Sequence, residues 1–267
     1  MCFIKKCCDP LVDGPKKTPE RLIKIPKKQK DIYDWQMLAR ESQQIPQGDW
    51  TVWLLMAGRG FGKTRTGAET IRDWVKTGQC TRIALVADTV AEARMVMVEG
   101  VSGLLQISPP DERPQFIGGK GELIWPCGAM GFLYSSENYD RLRGPQFDGA
   151  WVDELAKFRY PQALWDQLMF SLRLGERPRV VITTTPRPIT LLHNLIYSEH
   201  THLTTGTSYE NKENLSPIFV NQILKTYEGT TMGAQEIYAQ ILNESMGALW
   251  RRDLIKYKKP SFWPTPS

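Results

Sequence analysis

No apolar run in these 267 residues approaches the length needed to cross a bilayer; a stretch such as 52–57 is long enough for one strand. The opening residues, MCFIKKCCDP, place lysines after a few apolar positions and contain no apolar core of secretion-signal length. The expectation is a cytoplasmic protein without a membrane segment. Cysteine is scarce, 5 in all and none in CxxC spacing, and the 3 histidines lie far from every cysteine. That pattern disfavours a zinc site and a disulfide framework and points to reduced, unliganded thiols. A large charge excess is missing too: a net +5 permits contact with nucleic acid without requiring it. Internal repeats are absent.

What is present reads as an ordinary soluble chain with room for one large domain or two small ones. Residues 1–30 are rich in lysine, interrupted by prolines at 10, 15, 19 and 26, and have no stable period. They read as a solvated, disordered tail, with a DNA-touching arm as the alternative. From Asp31 the pattern becomes globular. Residues 51–56, 82–87, 147–152 and 179–184 are predominantly apolar runs and read as buried strands. A helix over 64–76 places Ala68, Ile71 and Val75 on one face and stops at Gly78. Thr89 and Glu92 form a capping box for a helix running to about Glu99. Short strands at 122–126 and 130–134 flank PCGA as a hairpin. Pro161, at a favoured first helical position, opens a helix that buries Leu164, Leu168 and Leu172. Strands alternating with helices predict an α/β fold with a mainly parallel sheet covered on both faces. Beyond residue 195, helices at 216–228 and 232–243 read as a small lid. The organisation expected is a core over 31–195, a lid over 196–250 and a tail over 251–267.

Between the first strand and the first long helix stands Ala57-Gly58-Arg59-Gly60-Phe61-Gly62-Lys63-Thr64. It fits the phosphate loop G-x-x-x-x-G-K-[ST] everywhere but at the first glycine. Glycines let successive N–H groups turn inward around an anion, and the helix that follows points its positive end at it. Lys63 is placed to reach the β- and γ-phosphates of ATP, and the Thr64 hydroxyl to ligate Mg²⁺. A dinucleotide turn would need G-x-G-x-x-G and has no use for adjacent lysine and threonine; a plain tight connection is the other alternative. Arg59 is an unusual second cation in such a loop. At the end of the later apolar strand, Asp153 and Glu154 supply what hydrolysis needs. Asp153 would hold the magnesium shell and Glu154 would orient and deprotonate the attacking water. Paired acids after that strand point to the RecA-like ATPases with an additional strand between the two motifs. RVVITTTPRP would supply the strand after the acidic motif, and Thr183, Thr184 and Thr185 at its end would sense the γ-phosphate.

With these residues in place, the chain resembles the large terminase subunit of tailed bacteriophages, the DNA-packaging motor, in the branch found in prophages and gene transfer agents of alphaproteobacteria. ARESQQIPQGDWTVWLLMAGRGFGKTRTGAE, YSSENYDRLRGPQFDGAWVDELAKFRYPQALWDQLMFSLRLG, VVITTTPRPITLL, TSYENKENL and YEGTTMGAQEI carry the resemblance, over about residues 32–255. It implies that Gln43, with Pro46, belongs to the segment that contacts adenine, and that Arg59 is the arginine of a deviant phosphate loop. It also implies magnesium and catalytic roles for Asp153 and Glu154 and a coupling role for Thr183–Thr185. Arg143 resembles an arginine that reaches a neighbouring subunit's ATP, with Arg141 as second choice. The implied partners are double-stranded DNA, a portal protein and a small terminase subunit, with the chain in a homo-oligomeric ring. Two departures stand out. Thr231 and Ala234 occupy lid positions where relatives often carry arginines, and residues 251–267 offer no acidic cluster for the nuclease domain that follows in full-length terminases. The expectation is an ATP-hydrolysing, DNA-translocating motor module that does not cut DNA; a truncated prophage relic that binds ATP, or a helicase- or repair-type ATPase, are the alternatives.

Overall fold

The computed structural model describes residues 32–242. The segment 1–30, with Cys2, Cys7 and Cys8, and the segment 251–267 lie outside the described residues, as does the last residue of the helix expected over 232–243. In chain order the elements are α1 (Trp35–Leu38), β1 (Val52–Ala57), α2 (Lys63–Lys76), β2 (Arg82–Ala87), α3 (Val90–Glu92), α4 (Leu104–Ile107), β3 (Gln115–Ile117), β4 (Glu122–Ile124) and β5 (Met130–Ser135). They continue as β6 (Gly149–Asp153), α5 (Pro161–Ser171), β7 (Arg179–Thr184), α6 (Thr190–Ile196), β8 (Thr201–Gly206), α7 (Lys225–Tyr227) and α8 (Thr231–Glu236).

The strands form one eight-stranded sheet in the order β3-β4-β5-β2-β6-β7-β1-β8. From β5 to β8 every pairing is parallel, while β3-β4-β5 is an antiparallel meander. RVVITTTPRP forms β7, the strand after the acidic motif, and β7 lies between β1 and β6, which makes it the additional strand between the strands of the two motifs. Because β1, β6, β7 and β8 are parallel, their carboxyl ends emerge at one edge. Register sets Asp153 beside Thr183, Met56 beside Thr184, and Ala57 beside Gly206.

Alternate side chains of the central strands build two cores. One face buries Trp53, Ile83, Leu85, Trp151 and Val181 under Ala68, Ile71 and Trp74 of α2 and under Met97, Leu104 and Ile107. The other buries Leu54, Val86, Ala150, Val152 and Ile182 under Leu164, Leu168 and Leu192 of α5 and α6. With both faces covered there is no polar alternation, so these strands read as continuous apolar runs.

The Thr89 cap forms, its hydroxyl accepting from the Glu92 N–H at 3.0 Å, and α3 continues as a π-helical stretch over Ala93–Val98. The strand expected at 147–152 is shifted to Gly149–Asp153. The Asp148 carboxylate is instead occupied by the N–H and hydroxyl of Thr81 and the N–H of Arg82, at 2.7–2.8 Å. The range 196–250, read as a helical lid, opens with β8, a strand of the core sheet. THLTTG is mostly polar because β8 is an edge strand, so it lacks the apolar signature of its neighbours. The helix expected over 232–243 ends at Glu236. Ala239 takes a left-handed conformation (φ 54°), and the chain turns so that the carbonyls of Glu236 and Ile237 accept from the N–H groups of Arg59 and Ser208.

Candidate nucleotide site

The loop 57–64 spans the end of β1 and the start of α2. Gly60 (φ 74°) and Gly62 (φ 101°) occupy left-handed backbone regions that side chains disfavour, and Gly62 is the residue on which α2 begins. The N–H groups of Gly60 and Gly62 find no acceptor among the described residues. An anion with phosphate geometry answers donors left open in this way at a helix start.

Lys63 is buried, and its ammonium is folded back onto the loop. Nζ donates to the carbonyls of Ala57 (3.0 Å) and Gly58 (3.2 Å) and to the Thr185 hydroxyl (3.1 Å), and lies 3.7 Å from Glu154 Oε1. Burial pushes its pKa below the ordinary lysine value, opposed chiefly by Glu154 and Asp153. Asp153, at the end of β6, is pushed up to about 6, first by burial, against the hydrogen bond it accepts from Thr183 Oγ1 at 2.5 Å. Glu154 is one of two described non-glycine residues with positive φ (56°). That conformation costs roughly 1–2 kcal/mol. It is held by its N–H to Thr183 O (2.6 Å) and by the Lys157 N–H to its own carbonyl (2.9 Å). The strain brings its carboxylate to the Thr185 N–H, at 3.2 Å.

The three threonines at the end of β7 each touch the site. Thr183 donates to Asp153 and accepts from the Trp151 indole N–H at 2.8 Å. Thr184 accepts from the Ala156 N–H at 3.1 Å, bracing the turn after Glu154. Thr185 bonds Lys63 through its hydroxyl and Glu154 through its N–H.

Gln43 is buried against the start of α2, donating to Thr66 Oγ1 at 2.9 Å and accepting from the Arg40 N–H at 3.3 Å. Arg59 reaches the other way: its N–H donates to Glu236 O and its Nε to Glu236 Oε2, both at 2.7 Å, tying the loop to α8. Arg143 is not among the gathered residues. It is exposed, donating to Gln167 Oε1 at 3.2 Å beside Asp140, and Arg141 is exposed near it. Reasoning from sequence missed Arg40, Asn211, Glu236 and Trp151. The first three stand inside motifs quoted for other residues, ARESQ, TSYEN and GAQEI, and their partners are remote in sequence.

Two oxygen donors, the Asp153 carboxylate and the Thr64 hydroxyl, come from the two elements that frame the site, and a buried carboxylate lacking a cationic hydrogen-bond partner suits a hard divalent cation such as Mg²⁺. Cys80, just before β2 and against the amino end of β6, is buried, and its thiol is pushed up to about 12 by burial first and by Asp148 next. No helix among the described residues is long and apolar enough to cross a membrane.

A family model described as terminase large subunit, T4likevirus-type, N-terminal, matches residues 54–257. Among solved structures, the large terminase ATPase domain of Thermus phage P74-26 is similar at a TM-score of 0.58 and 14% identity, over 76% of this chain and 94% of that one. A large terminase from another thermophilic bacteriophage, solved in complex with ADP, is similar at a TM-score of 0.59 and 15% identity, over 78% of this chain and 51% of that one. The match thus spans about half of that second protein. At such identities these likenesses bear on the fold. No curated protein sequence matches this chain.

Proposed function

Because the chain belongs to the family of terminase large subunits, matched in their N-terminal part, we propose that it is the ATP-hydrolysing module of a motor that translocates double-stranded DNA into a procapsid. The observation that carries the reading is the convergence of Lys63, Asp153, Glu154 and Thr185 at the carboxyl ends of β1, β6 and β7, with loop N–H groups left open beside them.

The triphosphate of ATP would lie in the loop, on the N–H groups of Gly60 and Gly62 and the start of α2. Lys63 would leave the carbonyls of Ala57 and Gly58 for the β- and γ-phosphates. Thr64 and Asp153 would hold Mg²⁺, which when bound neutralises charge developing on the phosphoryl oxygens. Glu154, freed from Lys63, would orient a water and take its proton. Gln43, from the segment before β1, lies against the loop's helix and is assigned to the adenine side. Arg143 is exposed beside Gln167 and Asp140 and would act on a neighbour's ATP in a homo-oligomeric ring. Charge lost from the γ-position would be felt at Thr183–Thr185, and through Arg59 and Glu236 at α8. The lid would then move relative to the sheet, and the ring would grip DNA mainly through phosphates. Portal protein and small terminase subunit would be its partners in the host cytoplasm.

ATP turnover by the wild type and by Glu154→Gln, with and without double-stranded DNA, tests this. The wild type should turn over ATP, faster with DNA. Loss of a general base predicts a fall of about 10²–10⁴-fold in the variant, with nucleotide binding retained. Turnover that survives the substitution would remove Glu154 from its role, and a wild type that binds no nucleotide would end the motor reading.

A further inference from the structure

The crest of the phosphate loop is held from outside by two side chains that the nucleotide chemistry above does not use. Asn211 Nδ2 donates to Gly60 O at 2.6 Å, and Arg40 Nη2 donates to Phe61 O at 2.5 Å. The two holders are joined, since Arg40 Nη1 donates to Asn211 Oδ1 at 2.7 Å, and Asn214 Nδ2 donates to the same oxygen at 2.9 Å. The Arg40 guanidinium also lies over the Phe61 ring, 4.6 Å from its centre. That ring is fully buried and packs on Gly206 at the end of β8, where any side chain would run into it. Arg40 precedes β1 and Asn211 follows β8, so the pair ties two distant segments across the loop.

The geometry has a consequence for the loop's donors. In a trans peptide the C=O and the following N–H point in opposite directions. Holding Phe61 O outward therefore turns the Gly62 N–H inward, and that N–H has no acceptor among the described residues. Holding Gly60 O outward acts likewise on the Phe61 N–H, which makes only a long turn bond, 3.3 Å, to Gly58 O. Gly60 and Gly62 leave both peptide planes free to rotate unless something outside restrains them. We propose that Arg40 and Asn211 form a clasp that keeps the loop's N–H groups aimed at the phosphates, making them positioning residues for triphosphate binding. The inference rests on the reading that this loop binds ATP. It assigns the pair to the phosphates and not to the base.

Titration with a fluorescent ATP analogue, and competition by inorganic tripolyphosphate, test the clasp on the purified chain. Losing a hydrogen bond from a charged donor predicts an affinity about tenfold weaker in Arg40→Ala; losing the neutral one predicts about fivefold in Asn211→Ala. Both ligands should weaken alike, because the clasp acts where the two are identical. The double variant should lose less than the product, since each change already breaks the shared unit. Arg40→Lys should recover part of the loss, and in turnover the variants should raise KM by a larger factor than they lower kcat. Thermal unfolding without nucleotide confirms that each variant is folded, and Asn211→Ala carries the test if Arg40→Ala is not. Unchanged affinities in folded variants would overturn the clasp, and so would a loss confined to the ATP analogue, which would place Arg40 on the base. A wild type that binds neither ligand would overturn the nucleotide reading and the clasp with it; a binding wild type with unaffected variants overturns the clasp alone.

Discussion

The backbone N–H of Thr185 donates to Glu154 Oε2 at 3.2 Å, while the Thr185 hydroxyl accepts from Lys63 Nζ at 3.1 Å. One residue at the end of β7 thus holds both Lys63, proposed to meet the phosphates, and Glu154, proposed to activate water. Two positions earlier, Thr183 donates to Asp153. The arrangement is closed on itself: Lys63 rests on carbonyls of its own loop and beside Glu154. On the proposed reading, a triphosphate that draws Lys63 away would break the Thr185 contact as well and so would link the strand end to occupancy of the site.

Substitutions at Thr183 and Thr185 should therefore separate stability from coupling. Thr185→Val keeps the N–H to Glu154 and removes one of three acceptors of Lys63. Nucleotide affinity should change by less than about threefold, because Lys63 leaves that acceptor on binding. Turnover stimulated by DNA should fall. Thr183→Val leaves the buried Trp151 indole N–H without an acceptor and should cost about 1–3 kcal/mol in urea unfolding. If the two variants behave alike in both assays, the division of labour along β7 is wrong.

Asp153 gives a pH signature. Burial raises its pKa to about 6 in the folded chain, against about 4 unfolded. Between those values the folded chain binds a proton that the unfolded chain has released. This contribution is fully present below the unfolded pKa and is lost as pH rises through 6. Above that window the buried carboxylate costs on the order of 3 kcal/mol. Asp153→Asn carries no such charge. Without nucleotide or metal it should be more stable than wild type at about pH 7.5, with the gap closing toward about pH 4. Magnesium and ATP should stabilise the wild type and not the variant. Thermal unfolding across roughly pH 4–8 measures this, and a gap that does not depend on pH would refute it.

Much of this was legible in the chain because both-face burial makes the central strands largely apolar on both faces. Runs such as RVVITT therefore stood out at their observed bounds. The acidic pair and the phosphate loop were legible because each is local, its residues contiguous on one strand end and one turn. Residues acting through remote partners were not. Asn211 meets Gly60 and Arg40 across more than a hundred positions, and nothing near TSYEN signals it. The left-handed backbone of Glu154 was hidden as well, since an ordinary DEL tripeptide adopts it only under the hold of β7. β8 was missed because an edge strand needs no continuous apolar run, and its final Gly206 is explained by the Phe61 ring.

Gly67, inside α2, provides a test of how tightly the helix and the site are joined. On propensity alone Gly67→Ala should stabilise an exposed helix interior by about 1 kcal/mol. Here the added methyl would run into the Trp151 indole at Nε1 and Cε2. That indole is fully buried in β6, and its N–H is bound to Thr183 Oγ1, so it cannot retreat without dropping that bond. Overpacking costs about 1–3 kcal/mol, and a lost hydrogen bond about 1 kcal/mol more. The substitution should therefore destabilise by on the order of 2 kcal/mol in urea unfolding, with an unchanged m-value. Since Thr183 also holds Asp153, ATP turnover should fall with it, although Gly67 does not touch the loop's open N–H groups. A variant of equal or greater stability with full turnover would show that α2 and β6 are looser than the contact of Gly67 with Trp151 implies.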